Sequence, residues 1–199
     1  MTQAVRGAWI GLAGVGTFLL GAAIATSVGV WGLGGSELLD GVSQASVPWR
    51  LGNALLAVGS ATSAVGMLLV SAESATPLAR AGTALWIVAG ASGLVGFAIQ
   101  GEGTLRAAAV WTDTGTIPTW VRLIARAGGI AIGIFMACGI MGSVALGWHM
   151  RDSRGLSTEL LTSGAIVLVV ALVFAVMTIP AAVVFLAAWV SVARLMSGT

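Results

Sequence analysis

The chain has 199 residues, of which 58% are hydrophobic and 8% charged, and its nine cationic side chains against seven acids give a formal charge of +2. A soluble domain carries roughly a quarter charged residues, so too few ions are present to solvate a surface, and the scattered charge leaves neither a nucleic-acid patch nor a polybasic tail. One cysteine and one histidine exclude an intramolecular disulfide, the CxxC and HExxH motifs and any Cys/His cluster, and no cofactor is implied.

Lipid is the expected solvent for most of this chain, and the fold class that follows is an all-α integral membrane protein in a single domain over 1–199. A helix crossing about 30 Å of hydrocarbon needs about 20 apolar residues, and five stretches meet that length. The first runs over 9–33, bounded by Trp9 and Trp31, whose rings suit the headgroup level. Arg6, the apolar run and Ala23-Ile24-Ala25 also fit a secretory signal peptide, but hydrophobicity continues past that site, which favours a retained span.

Residues 34–47 are polar and read as a loop, closed by Pro48-Trp49-Arg50, where a proline can open a helix. Span two follows over 49–70, a short link leads to span three over 78–99, and a second acid-bearing loop ends in Pro118 and Trp120 before span four over 120–148. The two units resemble each other in order: span, acidic loop, then Pro, Trp and Arg. They would make parallel helix-pair repeats, with convergent use of these residues at helix starts as the simpler account. After a charged loop, 160–192 is apolar throughout. As one helix it would be about 50 Å long, so it either bends at Pro180 or turns there as two short spans. The expected architecture is therefore a compact bundle of five transmembrane helices, with six as the alternative.

Arginine bias in the loops is nearly even. The pair Arg151 and Arg154 points to a cytoplasmic N-terminus in a multi-pass protein of the cell membrane.

Chemistry-bearing residues are few. Cys138, Met141 and His149 are the candidates for a soft metal site, but His149 lies about 12 Å beyond Met141 along a helix, so these residues alone do not converge. Packing needs fewer additions: Ala125, Gly129, Gly133 and Ala137 recur every four residues and form a small-residue ridge that lets two membrane helices approach closely. Gly7 with Gly11, and Gly59 with Ser63, carry shorter versions.

No Asp, Glu or Lys lies mid-span, which speaks against a proton relay. Arg122 and Arg126, one turn apart in span four, would snorkel to the interface or, with Asn53 and the loop acids Glu102 and Asp113, line a vestibule for an anionic group such as a lipid phosphate. No nucleophile and base pair or phosphate-cradling loop is present, so catalysis is disfavoured. The expected function is a non-catalytic structural or accessory subunit packing through Gly/Ala-rich faces. Its expected partners are membrane lipid and a second copy or a larger membrane protein. The alternative is a small-molecule or lipid transporter or channel with the arginine-lined vestibule.

Overall fold

In the computed structural model, residues 3–30, 33–72 and 76–150 are described; the fifth expected span over 160–192, the loop before it and Trp31 lie outside them. The described residues are all-helical, with no strand. Four helices are long and apolar enough to cross a membrane: α1 (Gln3–Ser27), α3 (Ser46–Ser71), α4 (Pro77–Thr114) and α5 (Val121–Met150). A short helix, α2 (Gly35–Gln44), sits between α1 and α3.

Two expected loops are helical instead. In the first, Leu38, Leu39 and Val42 recur at helical spacing with Glu37 in the first turn, so α2 has an apolar stripe to bury, and Leu39 and Val42 are buried. The second is a continuation of α4 for 15 residues beyond the expected end at Ile99. Its alanine-rich run Ala107–Ala109 favours helix, and it ends only at Gly115, whose φ of 64° is the left-handed cap conformation and whose N–H donates to Trp111 O at 2.8 Å. At 38 residues α4 is about 57 Å long, nearly twice a hydrocarbon core. Its extension and α2 hold each other up: Leu39, Val42, Trp49, Leu105, Ala107 and Ala108 form one apolar cluster, and Trp111 Nε1 donates to Asp40 Oδ1 at 2.7 Å.

The two Pro-Trp-Arg starts are built differently. Pro48 lies inside the first turn of α3 and Trp49 is buried, whereas Pro118 precedes α5 and Trp120 is exposed. At α4 the start is a capped one, with Thr76 Oγ1 accepting from Ala79 N at 3.3 Å and Pro77 opening the helix.

Successive long helices pack antiparallel, α1 on α3, α3 on α4 and α4 on α5. The α1–α3 contact is made by glycines seven residues apart on both sides. Gly7 meets Gly66, Gly14 meets Gly59 and Ser63, and Gly21 meets Gly52 and Leu56; a Cβ on any of the six glycines would lie under 3.0 Å from the partner helix backbone. A period of seven keeps one face turned to a neighbour over many turns. On α4, Gly82, Ala89, Gly96 and Gly103 repeat the spacing, and Leu146, Ile132 and Ile124 of α5 fill the hollows at the glycines. Where four helices meet, Phe18, Phe97 and Phe135 from α1, α4 and α5 stand with ring centroids 5.6–5.8 Å apart, beside Leu56 and Ala57 of α3.

Candidate functional site

The buried serines and Asn53 are bonded back to their own helices. Ser60, Ser63, Ser71 and Ser143 each donate to a backbone carbonyl three or four residues earlier at 2.8 Å, and Asn53 Nδ2 donates to Trp49 O at 3.0 Å. Such bonds satisfy the serine hydroxyls locally. Trp49 Nε1 donates across to Gly101 O at 3.2 Å, and Asn53 packs on Gly101, where a Cβ would come within 2.7 Å of it. Asn53 is thus 4% exposed at the α3–α4 crossing. The indole N–H of Trp86 is buried with no hydrogen-bond partner among the described residues.

The five residues expected to line a vestibule are distributed over four places. Asn53 is in the α3–α4 contact. Glu102 is engaged by two other arginines, Arg50 at 3.6 Å and Arg106 at 3.4 Å, the ion pairs found among the described residues. Asp113 lines a groove of about 360 Å³ between α2 and α4 with Ser43, Gln44 and Thr112. Arg122 and Arg126 are exposed on α5, paired with neither acid. Glu102 takes Arg50 because α3 and α4 run side by side, a neighbour relation that no spacing in the sequence announces.

The soft-ligand candidates separate as well. Cys138 is half-buried against the apolar cluster of Met67, Trp86 and Leu146, whereas Met141 is exposed. His149 Nδ1 is 3.0 Å from Thr76 Oγ1, so α5 ends against the start of α4. Among the described residues no three His, Cys, Asp or Glu side chains are grouped as metal ligands would be.

No family model matches the chain, and no curated protein or solved structure does.

The remaining candidate surface is the outer face of α5. Ala125, Gly129, Gly133 and Ala137 are all exposed, and a Cβ at Gly129 or Gly133 would meet no atom within 4 Å. In its most apolar stretch α5 is the least buried of the four long helices, at 22%. Towards its C-terminal end the same side carries an apolar groove of about 500 Å³ lined by Leu78, Ile140, Met141, Val144, Ala145 and Trp148. The ridge expected to pack is thus turned away from the described helices, and the glycines that close the described contacts lie elsewhere, at seven-residue spacing in α1 and α3. That spacing was readable in the sequence.

Proposed function

We propose that the chain is a non-catalytic multi-pass protein of the cell membrane with a cytoplasmic N-terminus, acting as a structural or accessory subunit. Its outward α5 ridge would pack against a second copy or a larger membrane protein. The observation that carries this reading is the ridge itself: glycines spaced for close helix approach, exposed, with open space where a Cβ would stand. The interior supports it, because the bundle is filled by apolar side chains and its buried hydroxyls are bonded to their own helices. Native mass spectrometry of the detergent-extracted protein tests it. A defined multimer or a co-purified protein is expected, lost in Gly133→Leu and kept in Arg126→Ala; a monomer in both removes the proposal.

One observation favours a second reading. Arg122 and Arg126 are exposed without an ion pair among the described residues, as an anion-handling transporter would need at its mouth. A transported anion whose uptake into proteoliposomes depends on both arginines would replace the subunit reading.

A further inference from the structure

At the end of the bundle that holds α2 and the α4 extension, the arginines fall into two classes. Arg50 and Arg106 share the carboxylate of Glu102, and Asp40 receives the Trp111 indole N–H. Arg122 and Arg126 stand one turn apart on α5 with no such partner among the described residues. Two like charges at this spacing repel each other and destabilise a helix. They also stand in the first two turns of α5, where the helix dipole adds positive potential.

The surroundings specify what would neutralise them. Trp120 is exposed beside the start of α5, and below the arginines the flank is bare hydrocarbon: Leu123 is 71% exposed, Ile130 64% and Ile134 41%. At 100° per residue these three lie within about 80° of Arg126, and Ile134 is about 12 Å further along the axis. A cationic pair above an apolar strip matches an amphiphile with an anionic head, and a free anion would leave the strip uncovered. Guanidinium groups bind phosphate through paired N–H donors, and two of them without a nearby acid reject a headgroup that also carries an ammonium.

We propose that Arg122 and Arg126 hold the phosphate of an anionic phospholipid, with one acyl chain lying along Leu123, Ile130 and Ile134. The site borders the Gly129/Gly133 ridge, with the acyl strip on the side of Ile130 and Ile134. It rests on the membrane part of the reading above and not on the subunit part.

The test uses the full chain, delipidated in detergent, with phosphatidylglycerol and phosphatidylcholine of identical acyl chains added in native mass spectrometry. The expected result is retention of one phosphatidylglycerol per chain with a preference of about tenfold or more over phosphatidylcholine. Arg122→Gln with Arg126→Gln should abolish the preference at unchanged helicity, while Gly133→Leu should keep it even where assembly is lost. Millimolar inorganic phosphate should not displace the lipid; displacement would assign the site to a free anion and overturn the proposal. Equal retention of the two lipids by the wild-type chain, or a preference that survives loss of both arginines, also overturns it. If the double variant does not fold, the wild-type preference must instead collapse in roughly 1 M salt, where screening is nearly complete; a salt-insensitive preference refutes the arginine site. A chain that fails to float with liposomes would refute the membrane reading itself, a result distinct from all of these.

Discussion

Gly59→Ala is the sharpest test of how the bundle is held. The added Cβ would stand 2.7 Å from Phe18 Cα and 2.8 Å from Gly14 O, where ordinary contacts begin near 3.4 Å. Both obstacles are backbone, so neither can rotate aside, and α1 must move out by about 0.7–1 Å. A gap of that size forfeits a quarter to a half of each contact of about 0.1–0.2 kcal/mol. Over about 40 atom pairs around the crossing the loss is about 1–4 kcal/mol, near 2 at the middle of these ranges. Alanine returns about 1 kcal/mol through helix propensity, leaving a net destabilisation of about 1–2 kcal/mol. Gly16 supplies the control within the same helix pair: a Cβ there meets nothing within 4 Å, so Gly16→Ala should stabilise by up to about 1 kcal/mol. Unfolding of both variants in mixed micelles, followed by circular dichroism, measures the two signs. If Gly59→Ala is neutral or stabilising, close backbone contact at the seven-residue glycines does not hold α1 on α3.

Trp49→Phe keeps most of the buried ring and removes the donor to Gly101 O, so a loss of about 1 kcal/mol is expected in the same unfolding assay. Thr76→Ala removes the α4 cap and the contact with His149; amide exchange should accelerate through the first turn of α4 and stay unchanged near Gly96. Glu102→Gln releases Arg50 and Arg106, but the group is exposed, so stability should shift by less than about 1 kcal/mol and the shift should vanish in high salt; a larger loss would mean that the cluster braces the α3–α4 contact.

Hydropathy alone marked out the four long helices among the described residues, because 20 consecutive apolar residues leave the backbone little choice of partner other than itself, although α1 at Gln3–Ser27 lies six residues before the expected 9–33. The starts of α3, α4 and α5 fall within three residues of those read from the sequence, at Ser46, Pro77 and Val121. The two stretches around Leu39 and Ala107 were missed because their polarity suggested loop. Each has one apolar face, and that face finds a cover only when α2 folds onto the far end of α4. Composition also marked glycine as the packing residue, but several glycine patterns coexist in this sequence and only one at a time can face a given neighbour. Pairing of α1 with α3 selected Gly7, Gly14 and Gly21 against Gly52, Gly59 and Gly66, and the packing of α5 on α4 through Ile124, Ile132 and Leu146 left Gly129 and Gly133 outward. The same holds for charge. The sequence shows which arginines exist, and the i,i+4 spacing within α4 brings Arg106 to Glu102, whereas the antiparallel contact of α3 with α4 decides that Glu102 also serves Arg50. A side chain's type is local information; its partner depends on which helices lie side by side, and that is fixed by the packing of the whole bundle.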